Sequence, residues 1–272
     1  MEKGCIGIIS GEGEFPVILA KALKNKGYRV VAICFSEDQK DRLEPFVHKV
    51  FKISIGQFGK LIKIFKKEKA KDLVFLGKID KGKAISIGIP DIKALMLWRK
   101  LRNREDNSIL KAVADELESY GFRVRGPAEF LTDYLTPEGV LTKRAPSSEE
   151  WEDIKYGFKV AKEIGRLDIG QCVVVKDKMT VAVEAMEGTD ATILRAGNLR
   201  KGCVVIKVAK PIQDHRLDLP VVGLNTMKNL IKANAKVLAL EAGKTFLLQR
   251  EEVLKLANQK GIVVVGCKHG ES

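Results

Sequence analysis

Cys5-Ile6-Gly7-Ile8-Ile9-Ser10-Gly11-Glu12-Gly13-Glu14-Phe15-Pro16 decides the fold class of this 272-residue chain. The short apolar run 5–10 predicts a strand, Gly11-Glu12-Gly13 a tight turn, and 14–26 a helix. Pro16 lies in that helix's first turn and Gly27 just past its end. This is a β-turn-α opening. Further apolar strands are expected over 28–35, 47–53 and 73–77, with a lysine-rich helix over 57–70. Strands alternating with helices imply a parallel, helix-covered sheet, so the N-terminal domain is expected to be Rossmann-like α/β. The opening only half matches a dinucleotide fingerprint, because Pro16 stands where the third glycine belongs, and a nicotinamide cofactor is rejected as the leading expectation. The turn still offers backbone N–H groups to a nucleotide or phosphate. Gly11, Gly13, Gly77 and Lys78 are the candidate substrate contacts of this half.

Helices are expected over 90–102 and from about 108 to Gly121, then a short strand over 122–124. Leu135-Thr136-Pro137-Glu138-Gly139 is turn chemistry, which divides the chain into domains 1–136 and 137–272. In the second half a helix begins at Ser147 or Ser148 and reaches about 164. Lys176-Asp177-Lys178 joins strands 172–175 and 180–184 as a hairpin. Strands over 221–224, 236–240, 246–248 and 262–266 alternate with helices over 226–234 and 251–260. A hairpin among such alternations predicts a mixed α/β C-terminal domain. Gly243-Lys244-Thr245 ends like a phosphate-binding loop, but Leu238 occupies the place of its first glycine, so a tight hairpin turn is expected.

Chemistry concentrates between Val181 and Pro220. Val181-Ala182-Val183 predicts a strand that delivers Glu184 and Glu187 to its end, where Gly188 turns and Thr189 or Asp190 caps the next helix. After the apolar strand 204–206 come Lys207, Lys210, Asp214, His215, Arg216 and Asp218, with Pro211 and Pro220 stiffening the loop. Glu184, Glu187 and Asp190 are the candidate ligands of a divalent metal. Lys210 and Arg216, with Gly188 and Thr189, are candidate contacts for a phosphate. For any one of these residues a helix cap or a solvated loop is the simpler explanation. Two charge-dense segments after two apolar strands favour function for the pair.

The formal net charge of +13 favours an acidic partner: nucleic acid, a phosphorylated metabolite or an anionic membrane surface. Aromatics are sparse and not interleaved with the lysines, which argues against a nucleic-acid-binding module. Five scattered cysteines without a C-x-x-C pair read as reduced, buried thiols, and three unclustered histidines argue against zinc. No apolar run approaches the roughly 20 residues of a membrane span, so a cytoplasmic protein, at most peripheral to a membrane, is expected.

Several phrases together resemble one family. They are Gly7-Ile8-Ile9-Ser10-Gly11-Glu12-Gly13, Ile55-Gly56-Gln57-Phe58-Gly59-Lys60, Ile164-Gly165-Arg166-Leu167-Asp168-Ile169-Gly170-Gln171, Val183-Glu184-Ala185-Met186-Glu187-Gly188-Thr189-Asp190-Ala191, Lys210-Pro211-Ile212-Gln213, Arg216-Leu217-Asp218-Leu219-Pro220 and Glu241-Ala242-Gly243. The family is the UDP-2,3-diacylglucosamine pyrophosphatases of lipid A synthesis, LpxI type. The resemblance implies hydrolysis of a lipid-linked UDP-sugar to UMP and 2,3-diacylglucosamine 1-phosphate, with a divalent metal, Mg2+ or Mn2+. It implies a substrate-binding N-terminal domain and a catalytic C-terminal domain whose essential aspartate is Asp218. It also implies attack of water at the sugar-side phosphorus, on the cytoplasmic face of the inner membrane. A homodimer stays open, since oligomeric state is not legible here. A basic nucleic-acid-binding module, or another nucleotide-sugar enzyme, is the alternative.

Overall fold

Consecutive residues of the first strands are buried, 6–10, 30–34 and 73–76, and successive side chains point to opposite faces, so both faces of the sheet they build must be covered. In the computed structural model, which describes residues 3–78, 90–101, 106–212 and 214–268, β1 (Lys3–Ser10), β2 (Tyr28–Cys34), β3 (Lys49–Lys52), β4 (Asp72–Leu76) and β5 (Arg123–Val124) lie in the order β3-β2-β1-β4-β5. Each adjacent pair is parallel. Ile9, Val31, Ile33, Leu73 and Phe75 share one cluster with Leu61 and Phe65 of α3 (Phe58–Lys67), Ala94 and Leu97 of α4 (Ile92–Leu101), and Ala114 and Leu117 of α5 (Asp106–Ser119). Burying one such large side chain stabilises by about 1.5–3 kcal/mol. Ile8, Val30, Ala32 and Val74 are equally buried on the opposite face, which carries α1 (Phe15–Asn25) and α2 (Glu37–Leu43). This is the Rossmann-like sheet expected from the sequence. Its order reverses at β1, so the carboxyl ends of β1 and β4 flank the topological switch point, where open α/β sheets bind ligands.

The second sheet is mixed. Its order is β6-β13-β11-β9-β7-β8, formed by β6 (Gly139–Val140), β7 (Cys172–Lys176), β8 (Met179–Val183), β9 (Val204–Lys207), β11 (Val237–Glu241) and β13 (Val263–Cys267). β9, β11 and β13 are parallel, whereas β7 runs against both β8 and β9. One face packs on α6 (Ser148–Arg166). The other packs on α7 (Thr189–Leu199), α8 (Leu224–Lys232) and α9 (Arg250–Lys260). The β7–β8 hairpin turns on Asp177 and Lys178, both at positive φ (53° and 56°), the signature of a type I′ turn. The Asp153 carboxylate accepts from both their N–H groups, at 3.1 and 2.6 Å. α6 starts in a capping box between Ser147 and Glu150.

One expectation is corrected. Gly243 does turn the chain at φ +71°, but β11 and β12 (Phe246–Leu247) are not hairpin partners, because β12 pairs in parallel with β10 (Val221–Val222) in a separate sheet. The boundary expected near 136 separates two compact units except for one short segment. One unit comprises Met1–Thr132 with Asp214–Asp218, and the other Asp133–Gln213 with Leu219–Ser272. The five-residue return is anchored by Leu217, buried in the cluster that covers the first sheet.

Candidate active site

In the first unit the predicted contacts gather at the switch point. Gly11 N donates to Leu76 O at 2.8 Å, and Glu12 and Lys78 exchange backbone hydrogen bonds at 2.7 and 3.0 Å. The turns after β1 and β4 are thereby laced together. Both glycines are needed for this approach: a Cβ on Gly11 would lie 2.6 Å from Lys78 O, and Gly77 sits at φ +95° against the Gly11 backbone. Buried Gln39 ties the same turn, accepting from Gly13 N at 3.2 Å and donating to Gly13 O at 3.2 Å and Ser10 Oγ at 3.1 Å. The N–H groups of Gly11, Glu12 and Gly13 are therefore engaged within the chain. The expectation that they cradle a phosphate is corrected to a structural role, which leaves side chains such as exposed Lys78 for contact with a ligand.

Asp218 is exposed at the end of the same unit's returning segment. Asp214 nucleates that segment: its carbonyl accepts from Leu217 N at 2.9 Å and Asp218 N at 3.2 Å, and its carboxylate from Arg216 N at 3.0 Å. Arg216 returns the bond, donating from Nε and Nη2 to both carboxylate oxygens, while its Nη1 reaches Glu118 Oε1 at 2.9 Å. The hydrogen bonds from Arg216 hold the Asp214 carboxyl below its usual range, and Asp214 in turn raises Arg216. Arg216 was expected to meet phosphate. Its guanidinium instead holds the turn that presents Asp218.

In the second unit, strand direction collects charge at one edge of the sheet. β8, β9 and β11 end there and β7 begins there, with Cys172 opposite Lys207. Lys207, 5% exposed, donates to Thr189 Oγ1 and Val221 O, both at 3.0 Å. Thr189 Oγ1 donates to Glu184 Oε1 at 2.9 Å, and Gln171 N to Glu184 Oε2 at 3.3 Å. A few residues on, Lys162 donates to Glu241 Oε2 at 2.5 Å and to Ala209 O at 2.8 Å, while Ala209 N donates to Glu241 Oε2 at 2.9 Å. Burial lowers the Lys162 ammonium, and the Glu241 carboxyl is also lowered, its burial outweighed by Lys162 and Lys244. The pair thus clamps both backbone polar groups of Ala209, the residue before Lys210. Lys210 itself meets Asp168 Oδ1 at 2.7 Å.

The three expected metal ligands are not brought together. Glu184 faces Thr189 and Gln171. Glu187 accepts from Arg195 at 2.6 Å, which lowers its carboxyl. Asp190 takes Asn225 Nδ2 at 2.6 Å and Thr226 Oγ1 at 3.2 Å, joining the first turns of α7 and α8. Among the described residues, no three His, Cys, Asp or Glu side chains converge as a metal site. These carboxylates do not fit a resident ion. The helix cap is also Gly188, at φ +81°, rather than Thr189 or Asp190.

Sequence reasoning passed over Lys162, Asp168, Gln39 and Glu118. Lys162 carried a signal, since it shares a helical face with Ile154, Phe158 and Ala161, where a charge must be partnered. Glu241, at the end of an apolar strand, is its partner. Cys34, Cys172 and Cys203 are buried free thiols, as expected, whereas Cys5 and Cys267 are only half-buried. Burial pushes Cys34 up to about 11, so it is protonated and unreactive at neutral pH.

The sequence matches the LpxI N-terminal domain over residues 5–134 and the LpxI C-terminal domain over residues 137–265. It is 34% identical to UDP-2,3-diacylglucosamine pyrophosphatase LpxI of Caulobacter vibrioides, over 96% of each chain. The bifunctional purine biosynthesis protein PurH of Bradyrhizobium diazoefficiens is 31% identical over 55% of this chain and 28% of its own. Among solved structures, UDP-glucose 4-epimerase of Thermotoga maritima, with UDP-glucose, aligns with 53% of this chain and 42% of its own at 13% identity, and its TM-score of 0.28 carries no argument. Matched in order by both domains along nearly its whole length, the chain belongs to the LpxI family.

Proposed function

We propose that this chain hydrolyses the phosphoanhydride of UDP-2,3-diacylglucosamine to UMP and 2,3-diacylglucosamine 1-phosphate, a step of lipid A biosynthesis. The observation that carries this reading is Asp218, an exposed carboxylate on a turn fixed by Asp214, Arg216 and Glu118. It lies in the phrase that most specifically resembles the family. Water adds to the sugar-side phosphorus as the bond to the UMP oxygen breaks, and Asp218 orients that water or takes its proton. Lys78 is proposed as a phosphate contact of the first unit, and Lys210 with the α7 start at Gly188 and Thr189 as phosphate contacts of the second. Lys162 and Glu241 keep Lys210 in place.

The reaction is proposed to need Mg2+ or Mn2+. A hard ion carried on a diphosphate needs only one or two protein carboxylates, and Asp218 is the one proposed to hold it. When bound, the ion neutralises charge on the phosphates. Among the described residues no helix is long and apolar enough to cross a membrane. The enzyme is proposed to work in the cytoplasm and to visit an anionic membrane surface, where its lipid substrate resides.

The test is hydrolysis of the purified substrate in 18O-labelled water, with and without EDTA. Label in the sugar phosphate and loss of turnover on chelation are expected. An intact substrate in the presence of metal would overturn the reading.

A further inference from the structure

We infer that the exposed face of α4, together with the lysines of α3, is the surface by which this protein docks on an anionic lipid bilayer. Ala94 and Leu97 bury one side of α4 in the core. Its other side exposes Ile92 (72%), Leu95 (47%) and Met96 (60%), spaced as one stripe. An isolated exposed apolar side chain needs no explanation, but three on one helical face form a patch.

The neighbouring helix supplies the sign of the partner. One carboxylate joins the two helix starts: Asp91 Oδ2 accepts from Gly59 N at 2.7 Å, and Oδ1 from Ala94 N at 2.9 Å. Gly59 has no side chain, and a Cβ there would meet Asp91 and Lys93 at 3.0 and 3.2 Å. α3 therefore lies beside α4, with Lys60, Lys63, Lys66 and Lys67 exposed. Among the described residues none of Lys60, Lys63 and Lys67 makes an ion pair. Lys66 and Lys93 both lie over the Tyr120 ring, at 5.5 and 3.9 Å, which ties the two helices to the end of α5. An apolar stripe beside unpaired ammonium groups complements acyl chains beneath anionic headgroups. Each basic group near such a surface adds attraction that salt screens. Folded RNA offers the lysines a partner but gives the stripe nothing to bury.

This names the surface for the membrane contact proposed above and rests on that reading. Vesicle binding is read without substrate and hydrolysis is read in detergent, so the two can fail separately. The full-length protein is co-sedimented with phosphatidylglycerol–phosphatidylcholine vesicles and with phosphatidylcholine alone, at low and high salt. The wild type is expected to bind the anionic vesicles and to be released by salt. Ile92→Ser/Leu95→Ser/Met96→Ser and Lys60→Gln/Lys63→Gln/Lys67→Gln should each weaken partitioning on the order of tenfold, with hydrolysis in detergent retained. Ile92→Glu alone repeats the test with less risk to the helix. Wild-type-like binding by these variants, or equal binding to neutral vesicles, overturns the inference. So does a wild-type dimer that the apolar variant turns into a monomer, which would assign the face to a second copy. A variant that binds vesicles normally but shows a raised KM for dispersed substrate would assign it to the substrate's acyl chains.

Discussion

Arg216 Nη1 donates to Glu118 Oε1 at 2.9 Å across 98 positions of sequence. With the fork onto Asp214, this bond fixes the turn that ends at Asp218. Arg216→Ala should therefore lower kcat by about 10–100-fold through misplacement of Asp218, with little change in KM. Arg216→Lys should recover only part, since an ammonium cannot span two carboxylates as a fork. Steady-state kinetics on both variants checks this. A rise in KM with kcat unchanged would instead return Arg216 to phosphate binding.

Asp218→Ala should lower turnover on the order of a thousandfold. Substrate binding should survive or tighten, because a carboxylate no longer opposes the diphosphate. Its melting temperature should stay near wild type, as the side chain is exposed. Single-turnover rates and equilibrium binding on one preparation separate these effects, and weakened binding in a destabilised protein would make Asp218 structural.

Lys162→Met leaves the Glu241 carboxylate, 1% exposed, with only the peripheral Lys244 at 3.0 Å for charge. Breaking a buried pair from one side costs about 3–5 kcal/mol, which urea unfolding should register. Because Ala209 O loses its donor as well, affinity for UMP should fall if Lys210 binds phosphate.

The Asp214 carboxyl titrates below its ordinary 3.8 because Arg216 hydrogen-bonds its charged form. A group depressed in the folded state contributes stability that is fully present above the unfolded value and is lost as pH falls through the folded one. Asp214→Asn should thus cost a constant increment above about pH 5, and that increment should shrink below about pH 4. Urea midpoints of the wild type and variant across that range give the comparison.

Gly11→Ala places a methyl 2.6 Å from Lys78 O and 2.7 Å from the Gly77 carbonyl carbon. Backbone on both sides cannot yield as a side chain would, so a loss of about 1–3 kcal/mol is expected. Thermal unfolding of the variant measures it.

The sequence by itself determined the two α/β halves, the parallel first sheet, the β7–β8 hairpin and the family, because apolar period, glycines, capping residues and long specific phrases are local signals. Glu184, Glu187 and Asp190 show the limit of such signals. They stand within seven positions, yet the strand end, the loop and the helix start send them to Thr189, Arg195 and Asn225 respectively. Only the tertiary structure decided that Gly11 and Gly77 serve a close backbone crossing, that Lys162 closes on Glu241 79 positions away, and that Asp218 leaves its own half to join the first unit. Each of these depends on which strands lie side by side and which charge must find a partner when it is buried. That pairing is set by burying the two sheets as wholes, and no spacing along the chain encodes it.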